Sequence, residues 1–207
     1  MTKNPAYDFT SDWFSNHIPT WQQILTAYKP TRVLEIGCYE GRATTWLIEN
    51  CRVDAGLEIH CVDPWAEYAD LPGQKMGEPE ARFDKNVAVA SAINQEAVIH
   101  KHKKTSVIAL AEMIAGGKTG FFDLIYVDGS HQAPDVLADA VMAFPLLRAG
   151  GIMIFDDYLW HMESSGAQNP YNMPKPAIDA FINIFQRKVQ ILSHKPLYQI
   201  YLRKLSD

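Results

Sequence analysis

The chain predicts an α/β fold built on a doubly wound parallel sheet, and three observations point to it. Strand-like apolar runs alternate with helical patterns almost from end to end, which implies a parallel sheet with helices on both faces. Two of those runs, FDLIYVDGSH (122–131) and GGIMIFDDY (150–158), pass straight into carboxylates, so neighbouring strands would bring Asp128, Asp156 and Asp157 to one sheet edge. The last two runs, KVQILSH (188–194) and LYQIYLRK (197–204), are separated only by Lys195-Pro196. Two residues cannot make a parallel crossover, so this pair must be an antiparallel hairpin.

The elements follow in order. Residues 12–28 carry Trp13, Phe14, Trp21, Ile24 and Leu25 at helical spacing and stop short of Pro30. A strand over 31–37 and a helix from Gly41 to Cys51 lead to a second strand over 56–63. The stretch 64–79 is rich in Pro and Gly and reads as an irregular insertion. A helix over 80–94, a strand over 97–102, a helix over 106–115 and a strand over 121–128 come next. Pro134 suits a first helical turn and opens a helix over 134–147, ahead of strand five at 151–156. Residues 159–176 are again irregular, and a loop of that length is more often functional than decorative. A helix over 176–187 precedes the hairpin. No repeat or linker interrupts the pattern, so 1–207 reads as a single domain, with 1–30 an N-terminal helical segment and 159–176 an active-site loop.

With 207 residues, 47% of them hydrophobic and 21% charged, the chain has the mix of an ordinary globular domain. A net charge of −5 argues against a nucleic-acid partner. The one basic run, His100 to Lys104, is short and reads as a solvated strand end. Cys38, Cys51 and Cys61 show no CxxC spacing, which argues against a disulfide framework or a structural zinc and fits a reducing cytoplasm. No signal peptide or membrane span is evident, so a cytoplasmic protein is expected. Self-association into a homo-oligomer stays open.

The glycine turn Gly37-Cys38-Tyr39-Glu40-Gly41 sits where strand one ends and a helix opens. Glycines there let the backbone turn tightly and approach a ligand, and the helix N-terminus favours polar groups. Tyr39 occupies the position where a dinucleotide fingerprint often has its second glycine, leaving less room for a pyrophosphate. Glu35 is expected to face the mouth of the turn, where a carboxylate repels pyrophosphate and suits an amino group. Asp63 closes strand two; an acid there accepts hydrogen bonds from ribose hydroxyls, or caps the turn before Pro64. Trp65 could lie against an adenine or a substrate, or fill the core.

On these residues the chain resembles class I S-adenosylmethionine-dependent methyltransferases, and is most similar to the branch of macrocin-type sugar O-methyltransferases. The matching pieces are VLEIGCYEGRATTWL (33–47), HCVDPW (60–65), FDLIYVDGSHQAPDVLADAV (122–141) and LLRAGGIMIFDDY (146–158). The resemblance implies a Rossmann-like seven-stranded sheet of order 3-2-1-4-5-7-6 with strand seven antiparallel, into which the terminal hairpin fits. It implies that Glu35 and the turn Gly37, Tyr39, Gly41 hold the methionine part of S-adenosylmethionine and that Asp63 holds the ribose. Thr105-Ser106 falls on the adenosine side, and Asp128 lies near both cofactor and metal.

Metal-dependent members of the family hold Mg²⁺ at positions like Asp128, Asp156 and Asp157, where it lowers the pKa of the hydroxyl to be methylated. Oxygen-only ligands favour Mg²⁺, Mn²⁺ or Ca²⁺ over zinc. Consecutive residues of a regular strand point to opposite faces, so Asp156 and Asp157 can share one ion only if strand five breaks between them. His131 is expected to be catalytic together with Asp128, as the base that takes the hydroxyl proton; a fourth metal ligand or a helix cap are its other readings. The sugar methyltransferases tend to carry an Asp near that base position, where this chain has Ser130-His131. Methyl transfer to an oxygen of a small molecule is therefore the expected activity. Its rivals are a nicotinamide-dependent oxidoreductase, and a relative that binds cofactor or metal without methylating, as in members linked to hydroxylation.

Overall fold

Val33, Leu34 and Ile36 are all buried, as a strand covered on both faces requires. The computed structural model describes residues 7–51, 56–66, 78–192 and 197–207. Strands run Arg32–Ile36 (β1), Glu58–Asp63 (β2), Val98–Lys103 (β3), Phe122–Val127 (β4), Leu147–Phe155 (β5), Val189–Leu192 (β6) and Ile200–Lys204 (β7). Helices run Ile18–Tyr28 (α1), Arg42–Asn50 (α2), Glu78–Ile93 (α3), Ser106–Ala115 (α4), Ala133–Ala143 (α5) and Pro174–Ile184 (α6). The sheet order is β3-β2-β1-β4-β5-β7-β6. β1 to β5 pair in parallel, and β7 is antiparallel to both β5 and β6. The ladder from Val189↔Lys204 to Leu192↔Tyr201 is the expected hairpin; its turn at 195–196, and most of the insertion at 64–79, lie outside the described residues.

The strand period of two divides the core between the two faces. Leu34, Ile36, Val127, Met153 and Phe155 pack under α4, α5 and α6. Val33, Leu124, Tyr126, Ile152 and Ile154 pack under α1, α2 and α3 with Trp21, Leu47 and Phe83. Asp123 ties the amino ends of the central strands together, accepting from Thr31 N (3.0 Å), Arg32 N (2.9 Å) and Arg148 Nε (2.5 Å). No helix among the described residues is long and apolar enough to cross a membrane.

Three boundaries differ from the sequence expectation. The helix expected over 134–147 stops at Ala143, followed by a 3-10 turn over Phe144–Leu146, and β5 begins at Leu147 rather than 151. Pro145 lacks an N–H and its ring would clash with the carbonyl four residues back. The buried Lys204 ammonium takes up carbonyls of that turn, donating to Phe144 O (3.1 Å) and Leu147 O (2.8 Å). The last helix starts at Pro174, not 176, since proline suits a first turn. Between residue 7 and α1 the described residues form no helix other than a 3-10 turn at Ser15–His17.

Candidate active site

The turn after β1 is gripped between its neighbours. Gly37 has φ +85°, and a Cβ there would lie 1.9 Å from Asp128 O and 2.6 Å from Gly129 Cα. Its N–H donates to Val62 O (2.9 Å), while Asp128 N donates to Ile36 O (2.8 Å). Asp63, 2% exposed, staples the same turn. Its Oδ2 accepts from Cys38 N and Tyr39 N, both at 2.9 Å, and its Oδ1 from Trp65 N at 2.7 Å. That pairing holds Tyr39 in a left-handed conformation, φ 48°. Gly41, φ +79°, opens α2 where a Cβ would meet the Phe83 ring at 2.9 Å. The N-terminal segment lies over this turn. Thr10 N and Oγ1 donate to the Glu40 carboxylate, both at 2.7 Å, and Trp13 packs on Tyr39 with ring centres 5.3 Å apart.

Two sequence expectations need correction. Glu35 does not face the mouth of the turn: strand alternation turns it with Val33 toward α2, where it is 1% exposed and accepts from Thr44 Oγ1 at 2.5 Å. Burial, reinforced by the charge of Asp63, pushes its carboxyl up to about 8. Trp65 offers no aromatic wall to a ligand. Its backbone is left-handed (φ 42°), which turns the ring into the core against Phe83, and its indole N–H donates to Tyr39 O at 2.8 Å.

Ser106 begins α4, and its hydroxyl bonds Asp139 of α5. Asp139 is a residue the sequence reading missed. It is 2% exposed, its Oδ1 has no hydrogen-bond partner among the described residues, and burial pushes its carboxyl up to about 7. The available signal was a charge on the face of α5 that Val136, Ala140 and Ala143 bury.

At the other side of the site, Val127↔Phe155 is the last pair of β4 and β5, and Asp156 N donates to Val127 O at 3.0 Å. The strand then breaks: Asp157 has φ 56°, so the two consecutive acids reach the same edge. The buried Tyr126 hydroxyl is bonded to Asp128 Oδ2 (2.8 Å) and to Asp156 Oδ2. A phenol has one proton, so one of the two carboxyls must carry the other. Accordingly, burial and then mutual repulsion raise both: Asp128 well above the usual range, through Asp156 and Asp157, and Asp156 through Asp157. Gln199 Nε2 donates to Asp156 Oδ2 at 2.7 Å, and its own carbonyl accepts from Trp21 Nε1 at 2.9 Å. Tyr126 and Gln199 were not legible as site residues, because a tyrosine in an apolar run and a glutamine in a hairpin read as ordinary strand positions.

Asp157 is engaged differently. Its Oδ2 lies 2.7 Å from His131 Nε2, and the His131 ring stacks on Trp160 at 4.0 Å and 18°. Of the other loop residues, His161 Nδ1 turns back to Glu163 O (2.6 Å) and Tyr158 donates to Asp179 on α6 (2.8 Å). His17 Nε2 approaches Asp156 to 4.0 Å, whereas Phe14 is core. Asp128, Asp156 and Asp157 share an edge but not a ligand shell. Among the described residues, the sets with ligand atoms all within 4.8 Å of one another are Glu35–Cys38–Cys61 and Glu58–His60–His100.

The fold has known counterparts. An O-methyltransferase from Bacillus cereus solved in complex with SAH is 17% identical, covers 97% of this chain and 84% of its own, and superposes with a TM-score of 0.65. TomG, an O-methyltransferase from Streptomyces achromogenes involved in tomaymycin synthesis and solved with SAM, is 16% identical over 91% of this chain and 78% of its own, TM-score 0.64. MycE, a methyltransferase of the mycinamycin biosynthetic pathway solved with Mg and SAH, is 18% identical over 98% of this chain and 52% of its own, TM-score 0.60. No curated protein matches the chain. A family model described as a methyltransferase domain matches residues 34–158, which contain the glycine turn, Asp63, Asp128, His131 and both acids after β5. The chain belongs to this methyltransferase-domain family.

Proposed function

We propose that the protein transfers a methyl group from S-adenosylmethionine to a hydroxyl oxygen of a small molecule, as in the macrocin-type branch, with His131 as general base. The observation that carries this is the His131–Asp157 pair, 2.7 Å apart, beside the turn of a methyltransferase fold. The Asp157 carboxylate at Nε2 fixes the imidazole and stabilises the imidazolium that forms when it takes the hydroxyl proton as the oxygen attacks. Trp160 against the imidazole keeps water from the ring, which gives the loop 159–176 its role. The sulfonium donor is already activated, so the protein's remaining task is positioning. Gly37, Tyr39 and Gly41 place backbone against the methionine part, and Glu35, buried beneath the turn, acts on its amino group only through its field. Asp63, which staples the turn, stands on the ribose side, Ser106 with Asp139 lies on the adenosine side, and Asp128 sits between cofactor and acceptor.

The donor set Asp128, Asp156 and Asp157 fits a hard divalent cation in kind: every ligand is oxygen, and the repulsion that raises Asp128 and Asp156 is a cost that a cation removes. As arranged they do not share one ligand shell; they would hold Mg²⁺ only with Asp157 turned from His131 toward the other two carboxylates, and the ion would then lower the pKa of a substrate hydroxyl.

Calorimetric titration is expected to show binding of S-adenosylhomocysteine and none of NAD; tight NAD binding alone would sink the proposal in favour of an oxidoreductase. Methylation by Asp156→Ala that matched wild type, with and without chelator, would remove the metal from the mechanism and leave the His131 base.

Glu35 gives a pH prediction. Raised to about 8, it is protonated in the free protein at neutral pH, and an ammonium bound over the turn favours the charged form through its field, without contact. Binding then expels a proton below pH 8. Affinity for S-adenosylhomocysteine should rise with pH toward about 8, by up to roughly tenfold per unit, and level off above. Glu35→Gln should flatten the profile; an unchanged slope in that variant would exclude Glu35 as the cause.

A further inference from the structure

A cluster of ligating side chains lies on the other face of the sheet, away from the acids. His60 stands in register with His100, and His102 is two residues further along β3, so all three point to the same face. Glu58 precedes His60 by two on β2. Three nitrogens converge on one carboxylate oxygen: Glu58 Oε1 is 2.8 Å from His60 Nε2, 3.2 Å from His100 Nε2 and 3.8 Å from Lys118 Nζ. Behind them, His60 Nδ1 lies 2.9 Å from His102 Nε2.

We infer that Glu58, His60 and His100 form a binding site for a divalent transition metal of the zinc class, with His102 orienting His60. Zinc takes imidazole and carboxylate ligands at distances that place neighbouring donor atoms about 3.4 Å apart in a tetrahedron. Here one donor from each residue already lies within 4.8 Å of the others, and two of the three separations are 2.8 and 3.2 Å. Three protein ligands leave a fourth position for water. The His60–His102 contact is the outer partner that ligating histidines characteristically have, fixing which nitrogen faces the ion.

The other set, Glu35–Cys38–Cys61, is the weaker candidate. All three residues are buried, and burial holds the Cys38 thiol in its protonated form, whereas the side chains of Glu58 and His100 are 30% and 42% exposed. An ion on the histidine set would staple β2 to β3, the edge strand of the sheet among the described residues. The Lys118 ammonium is the one feature that opposes it, through like charge.

The test is titration of the purified chain with Zn²⁺ in excess Mg²⁺, read by calorimetry and by thermal unfolding. Wild type is expected to bind one equivalent and to gain melting temperature. His102→Asn should weaken binding by roughly tenfold to a hundredfold, His100→Ala and Glu58→Gln by more, and Lys118→Met should tighten it. A cluster held only by hydrogen bonds would not respond to Lys118→Met in that sense. Absence of zinc binding overturns the proposal. So does zinc retained by His100→Ala and Glu58→Gln, whether Cys61→Ala or Asp128→Asn then removes it.

Discussion

Gly37→Ala is expected to lower stability by roughly 2–5 kcal/mol, combining left-handed strain of about 1–2 kcal/mol with overpacking of about 1–3 kcal/mol. The new methyl would sit 1.9 Å from Asp128 O, and backbone on both sides leaves no flexible atom to yield. The ends of β1 and β4 would have to separate, carrying Asp128 away from Tyr126 and the turn away from Asp63. Gly117 supplies the control, because it has φ +79° with nothing within 4 Å of its built Cβ. Gly117→Ala should therefore show the strain alone. Urea unfolding of the two variants, with S-adenosylhomocysteine binding measured on each, checks the difference. Equal shifts in midpoint would mean that the close approach of β1 to β4 does not constrain this turn.

His131→Ala should reduce methyl transfer by roughly a hundredfold to ten-thousandfold while leaving S-adenosylhomocysteine affinity unchanged. Asp157→Asn is the sharper companion. Asn tolerates the left-handed backbone at φ 56°, so that variant should fold normally, yet it no longer holds the imidazole by charge. Its expected signature is a lower maximal rate and a displaced acidic limb of the pH–rate profile, with methyl-labelled S-adenosylmethionine and a panel of hydroxylated acceptors as the assay. Retention of full rate by His131→Ala on an acceptor that wild type methylates would move the base elsewhere, first to Asp128.

The strand-terminal acids show how far pattern alone reaches. The doubly wound sheet, the terminal hairpin and the convergence of Asp128 with Asp156 were legible because period-two burial and short connections leave few alternatives. The break at Asp157 was legible only as a condition for sharing an ion. That Asp157 turns to His131 instead depends on a left-handed residue and on Trp160 arriving from the loop, neither of which has a sequence pattern. Boundaries slipped where proline chemistry overrode periodicity, at Pro145 and Pro174.

The amino-acid sequence by itself determined the order of strands and helices and the positions at which acids and glycines meet the sheet edge, since these follow from local periodicity and chain connectivity. Only the tertiary structure decided where the side chains point. Glu35 sits beneath its turn because alternation sends it toward α2, Trp65 lies in the core because its backbone is left-handed, and Tyr126 reaches Asp156 because β4 and β5 are neighbours. Likewise, His100 and His102, which read as a solvated strand end, join Glu58 and His60 in a cluster only when β2 and β3 pair in register. Such contacts join residues far apart in the chain, and no local pattern encodes the partner across the sheet.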